Sequence, residues 1–284
     1  MKQWVPWWAR IVAKLALSRL PVGYHSFASR GIFRHGHMDS PAYALRIIQQ
    51  HLQHLDPTRS AQGYVALELG PGDSVGSALI AHASGASHCY LVDAGAFAMT
   101  DITFYQRFAE ELRALGVACV DINECSSVEE VLTTCGGTYL TSGLASLQQI
   151  PDNSIDFIWS QAVLEHLRVN EFTPTMKELK RILKPQGIAS HRIDLKDHLG
   201  GSLNNMRIPG RLWEQEWMAS SGFYTNRIRY SGMLNAFRDS GFEVEIVAVD
   251  RWQEPPITRR KLAAEFQHLS RDDLRISGFH VVLH

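Results

Sequence analysis

Tyr64-Val65-Ala66-Leu67-Glu68-Leu69-Gly70-Pro71-Gly72-Asp73-Ser74 is the stretch that decides the fold of this 284-residue chain. Tyr64 to Leu69 is a short apolar run of the length of a buried strand. Gly70, Pro71 and Gly72 then turn the chain. From Val75 to Ala86, apolar residues at Val75, Ala78, Leu79 and Ala83 recur with a helical period. Strand, glycine turn and helix make the first unit of a doubly wound α/β sheet. Gly70 and Gly72 lack a Cβ, so the backbone there can adopt positive φ and approach a ligand closely. The helix beyond presents free N–H groups and a partial positive charge.

Two acids sharpen this reading. Glu68 stands two residues before the turn, where a carboxylate could accept bonds from a ligand's ammonium group. His88 to Val92 reads as a second strand ending at Asp93, an acid placed to accept bonds from ribose hydroxyls. The dinucleotide pattern Gly-x-Gly-x-x-Gly is absent, because Val75 occupies the place of its last glycine.

Composition is that of a globular α/β protein, with 45% hydrophobic and 20% charged residues. A net charge of −1 argues against a general nucleic-acid coat. Residues 1–60 nevertheless carry eight Lys/Arg against two Asp/Glu, on an acidic remainder. Such an arm suggests an anionic partner, or docking of arm on body. Cys89, Cys119, Cys125 and Cys135 form no Cys-x-x-Cys pair, so no zinc site is expected. No cleavable signal or apolar run of eighteen is recognisable, and free thiols in the cytoplasm are expected.

The N-terminal sixty residues read as a helical extension. Trp4, Trp8, Ile11, Val12 and Leu15 share one helical face with Arg10, Lys14 and Arg19 between. The helix either packs on its own domain or makes weak contact with an anionic membrane surface. Gly31 to Met38 is turn-rich, and His37 within it is a candidate for the mouth of a site. Asp39 or Ser40 caps the next helix, with Ala44, Leu45, Ile48, Leu52 and Leu55 inward. Beyond Asp93, Asp101 can cap a helix to Leu115, and Ser127 with Glu130 suggests a capping box. Gly137–Ser142 is the third strand. Asp156–Ser160 is the fourth, followed by a helix from Ala162 carrying Glu165 and His166. A helix over Phe172–Leu183 precedes the fifth strand, Ile188–Leu195. Residues 200–230 are an insertion, with Trp213 and Trp217 on one short helix and with Arg227 and Arg229 beyond. Ser231–Ser240 is a helix, Phe242–Val249 a strand, Arg259–Leu269 a helix and Gly278–His284 the last strand.

Glu68-x-Gly70-x-Gly72 together with Asp93 resembles class I S-adenosylmethionine (SAM)-dependent methyltransferases, whose first motif is an acid, one residue, then Gly-x-Gly. The resemblance extends over residues 61–284 and includes the Leu183-Lys184-Pro185-x-Gly187 run before the fifth strand. It implies a seven-stranded, mostly parallel sheet whose last strand is antiparallel. It implies that Glu68, Gly70 and Gly72 line the methionine part of SAM, with Ser74 where a third glycine is common. Asp93, with Ala94 beside it, would meet the ribose, and Leu144 the adenine. Ser160 and Gln161, at the end of the fourth strand, would face the methyl group. For a hydroxyl acceptor a base is needed, and His198, His166, Asp194 and His191 are the candidates. The expected function is O-methylation of a small-molecule or saccharide acceptor. Arg227, Arg229 and His37 are candidate acceptor contacts, and no metal is called for. The rival readings are another enzyme on the same fold, such as an aminopropyltransferase, and a non-catalytic scaffold.

Overall fold

The computed structural model describes residues 6–18, 37–58 and 63–284. Its centre is a seven-stranded sheet of order β3-β2-β1-β4-β5-β7-β6. The strands are β1 Tyr64–Leu69, β2 Ala86–Val92, β3 Gly137–Leu140, β4 Ile155–Gln161, β5 Leu183–Asp194, β6 Val244–Arg251 and β7 Ile276–Leu283. Strands β1 to β5 pair in parallel, and β7 runs antiparallel to both β5 and β6. The winding changes direction between β1 and β4, so a crevice opens at their carboxyl ends.

Both faces of the sheet are covered, which explains the near-continuous apolar strands. One face packs Ala66, Cys89, Leu91, Phe157 and Trp159 under α2 (Pro41–Leu52), α3 (Ser77–Ala83), α4 (Ile102–Ala114) and α5 (Val128–Thr134). The other packs Leu67, Val92, Ile158, Ala189 and Val281 under α6 (Leu144–Leu147), α7 (Val169–Ile182) and α10 (Tyr230–Asp239). Asp101 and Ser127 cap α4 and α5 through their side chains. Glu130 reaches back to the N–H of Ser126 at 2.7 Å rather than that of Ser127.

The N-terminal helix α1 (Trp7–Ser18) docks on the insertion. Ile11, with Trp7 and Leu15, joins a cluster of Leu199, Trp213, Met218, Phe223 and Tyr224. Trp8 and Val12 remain exposed. Trp4 and residues 31–36 of the turn-rich piece lie outside the described residues.

Four expectations are corrected. No helix starts at Ala162. The Ala162 N–H donates to Arg192 O at 2.8 Å, Ala162 sits at φ 55°, and only a 3₁₀ turn forms over Leu164–His166. Residues 259–269 form two 3₁₀ turns instead of a helix, because Ala263 N–H bonds Met206 O and Leu262 and Phe266 pack on the insertion. A short helix, α11 (Arg271–Arg275), follows, with Ser270 as its cap. Trp213 and Trp217 lie on separate helices, α8 (Gly210–Trp213) and α9 (Glu216–Ala219), the first tryptophan buried and the second exposed. Finally, β5 begins at Leu183, five residues early, across an irregular register with β4.

A polar seam crosses this core. His51 Nδ1 and His280 Nε2 each lie 2.8 Å from Ser190 Oγ, and His191 Nδ1 lies 2.7 Å from Ser160 Oγ. Burial, reinforced by neighbouring histidines, pushes His51 and His191 down to about 3. Each is neutral when folded and protonates on unfolding, so its stabilisation is complete above about pH 6.5 and falls as pH drops toward 3. For one such group the loss between pH 7 and pH 5 is about 2 kcal/mol. The stability penalty of His191→Asn should therefore shrink by about that amount between the two pH values. Urea unfolding of both proteins at each pH checks this, and a constant difference would place a charged imidazole in the folded protein.

Candidate active site

The glycine turn places Gly70 at φ 75° and Gly72 at φ 68°. A Cβ on Gly70 would come within 2.5 Å of Val163 Cγ2, so the turn and the 163–166 segment are in close contact. Gly70 N–H donates to Val92 O at 2.8 Å, pinning the turn to the end of β2. Asp93 stands beside it, accepting from Gly72 N–H at 3.0 Å and from Ala94 N–H at 2.7 Å. Gly143 N–H donates to Asp93 O at 2.8 Å, which brings Leu144, at the start of α6, to the same strand ends. Asp93, Ala94 and Leu144 are thus assembled from β2 and the segment after β3. Asp93→Ala removes a charged acceptor whose hydrogen bonds are worth roughly 1.5–3 kcal/mol each. Affinity for S-adenosylhomocysteine should fall at least about tenfold. Unchanged affinity by calorimetry would remove Asp93 from the cofactor site.

Glu68 is fully buried. Ser77 Oγ–H and Trp159 Nε1–H both donate to it, the latter at 3.2 Å. Its carboxyl ties the helix after the turn to the sheet, and burial pushes it up to about 7. The two hydrogen bonds oppose that rise. Ser74, in place of a third glycine, is buried and accepts from Gly76 N–H at 3.0 Å, closing the loop internally.

Beyond β4 and β5 the structure brings two of the candidate bases together. His166 Nε2 and His198 Nε2 are 3.2 Å apart, with nearly parallel rings whose centroids are 4.9 Å apart. His166 Nδ1 lies 2.9 Å from Tyr224 O. A carbonyl only accepts, so Nδ1 carries the proton. A neutral His166 then accepts at Nε2, and His198 donates from its own Nε2. Asp194, at the end of β5, accepts from Lys196 N–H at 2.9 Å and pairs with Lys196 Nζ at 3.4 Å.

The other candidates lie apart from this pair. His191 is buried against Ser160. Gln161, half-buried, faces His51 Nε2 at 3.4 Å through Oε1. His37 is exposed, its ring edge against Tyr43 with centroids 5.8 Å apart. Arg227 and Arg229 are inside the protein, at 8% and 4% exposure. Arg227 Nη1 donates to Ile208 O at 2.6 Å, and Arg229 Nη1 donates to Leu195 O at 2.9 Å. Three residues without an assigned role in the sequence reading also shape the site: Trp159 and Ser77 gripping Glu68, and Asn226, whose Nδ2–H donates to Leu164 O at 2.8 Å. Trp159 lies inside an apolar strand run, and only its indole N–H distinguished it from core. Among the described residues, no group of three or more His, Cys, Asp or Glu is placed to hold a metal. No described helix is long and apolar enough to cross a membrane.

A family model described as a methyltransferase domain matches residues 67–190, which span β1 to β5. No curated protein matches the chain. Among solved structures, it is similar to an S-adenosylmethionine-dependent methyltransferase from Mesorhizobium loti, at 18% identity and TM-score 0.42 over 78% of this chain and 90% of that one. It is also similar to SAM-dependent methyltransferases from Methanosarcina mazei (18% identity, TM-score 0.46, 84% and 95% covered) and Archaeoglobus fulgidus (11%, 0.46, 86% and 94%).

Proposed function

We propose that this chain, whose residues 67–190 match a methyltransferase-domain family model, is a class I S-adenosylmethionine-dependent methyltransferase and that it methylates a hydroxyl of a small-molecule or saccharide acceptor. The observation that carries the proposal is the histidine pair at the carboxyl ends of β4 and β5, three residues from the Val163 contact with the glycine turn. An amine acceptor can enter such a reaction as its free base, whereas a hydroxyl needs its proton removed as the new bond forms.

The residues present fit the cofactor. Gly70 and Gly72 leave a cradle without side chains, and Asp93 supplies a fixed acid at its rim. Gly70, Gly72, Asp93, Ala94 and Leu144 would hold the cofactor, with Glu68 bracing the turn from behind. When bound, the cofactor supplies an electrophilic sulfonium methyl. The protein positions and dehydrates rather than doing covalent chemistry itself. His198 is the group that takes the acceptor's proton. His166 holds His198 in the required tautomer through Nε2, because its own Nδ1–H is fixed on Tyr224 O. Asp194 and Lys196 pair with each other at and just past the end of β5. Arg227 and Arg229 take a structural role in this proposal, holding the insertion over the strand ends through backbone carbonyls.

Calorimetry with SAM, NAD and decarboxylated SAM tests the cofactor against the rival readings. Labelled-methyl transfer to alcohol, catechol, saccharide, amine and thiol panels then tests the acceptor class. Transfer confined to amines would overturn the hydroxyl assignment.

A further inference from the structure

A small cavity adjoins the Leu164–His166 turn. It is lined by Glu165 on one wall, Asn205 on the insertion, and Arg227 and Arg229 beyond it. It offers about 10 Å³ to the centre of a water molecule, room for about one water. All four of these side chains are more than nine-tenths buried.

Each of the four also has one polar atom with no protein hydrogen bond: Glu165 Oε2, Asn205 Oδ1, Arg227 Nε and Arg229 Nε. The other polar atoms are accounted for. Glu165 Oε1 accepts from Asp194 N–H at 3.2 Å. Asn205 Nδ2–H donates to Thr225 Oγ1 at 2.8 Å. The Nη atoms of both arginines donate to backbone carbonyls, with Glu214 as a further partner of Arg227 at 3.4 Å. Four residues lining one cavity thus each carry an orphaned polar atom, which is unusual, since a buried polar group left unbonded is costly. Two acceptors and two donors match the two hydrogens and two lone pairs of a single water.

We propose that this cavity binds one buried water, and that through it Glu165 is a positioning residue for the His166–His198 pair. Glu165 touches neither base. It fixes the turn that carries His166 between two walls. Its carboxyl holds the end of β5 through Asp194 N–H, and its carbonyl accepts from Asn226 N–H at 2.7 Å. The water adds the third tie, joining the carboxyl to the arginines of the insertion. Tyr224, whose carbonyl sets the His166 tautomer, belongs to that same segment. Burial pushes the Glu165 carboxyl up to about 8. A water backed by two guanidinium groups opposes that rise and favours the carboxylate.

The histidine roles rest on the methyl-transfer reading, but the test does not need an acceptor. Oxygen-17 relaxation dispersion on the full-length protein should detect a long-lived internal water that disappears in Glu165→Met. The ring signals of His166 and His198 should move and titrate at different midpoints in that variant, while Glu165→Gln keeps them. Affinity for S-adenosylhomocysteine should be unchanged throughout. Asn205→Leu reaches the same water from the opposite wall and serves if Glu165→Met does not fold. No long-lived water assignable to this cavity, or histidine signals indifferent to its loss, overturns the proposal. A failure of the methyl-transfer reading appears separately, as a wild-type protein that does not bind S-adenosylhomocysteine.

Discussion

Gly70→Ala should lower the affinity for S-adenosylhomocysteine by about 10²-fold or more, with the sheet still folded. Two effects add. Gly70 sits at φ 75°, where an L-residue costs about 1–2 kcal/mol. The new Cβ would also stand 2.5 Å and 2.8 Å from the two methyl groups of Val163, and such overpacking costs typically about 1–3 kcal/mol. Relief requires one of two movements. The turn can retreat, breaking the Gly70–Val92 bond and displacing Gly72 from Asp93. Otherwise Val163 retreats and carries the His166 turn with it. Both damage the site, so methyl transfer falls along with binding. Gly116→Ala is the control. It is equally strained at φ 86°, with nothing within 4 Å of the added carbon, and it lies far along the chain at the end of α4. Calorimetry on both variants checks the expectation. Normal affinity in a folded Gly70→Ala protein would mean that the turn does not cradle the cofactor.

The second large effect is on the proposed base. His198→Ala should lower methyl transfer by about 10²–10⁴-fold while leaving S-adenosylhomocysteine binding intact, the usual contribution of a positioned base. His166→Ala should approach the same loss. Without it, nothing fixes the tautomer of His198, and the two substitutions together should cost little more than either alone. His166→Gln offers an amide N–H to Tyr224 O and an amide oxygen to the His198 N–H, so it should lose less activity than His166→Ala. Single-turnover rates with saturating cofactor measure this directly. Full activity in His198→Ala would remove the pair from the chemistry. Additive losses would give the two histidines independent roles.

Much of the frame was legible because it is written in local chemistry. An apolar run, two glycines and a helical period define β1, the turn and α3 within twenty residues, and no distant contact is needed to read them. Asp93 could be placed for the same reason, since a short α/β connection leaves the end of β2 one position from the end of β1. Caps at Asp101 and Ser127 are local as well. The errors fall where distant bonds override local pattern. Ala162 to Leu167 has helical composition, yet the Ala162 N–H is taken by Arg192, thirty residues on. Residues 259–269 have helical spacing, yet their apolar groups and one backbone N–H are claimed by the insertion.

By itself, then, the sequence determined a doubly wound sheet with a glycine cradle and an acidic rim. Those features follow from backbone conformation and burial of neighbouring residues. Only the tertiary structure decided which histidines meet. His166 and His198 are separated by the whole of α7 and β5, and their shared proton depends on a carbonyl of Tyr224, further on still. Only it decided that Arg227 and Arg229 face inward onto carbonyls, and that Glu165 is a buried acid beside a water-sized cavity. Residue type states which bonds a side chain can make. Where those bonds go depends on which groups are left unpaired after the layers have packed, and that is a property of the whole fold.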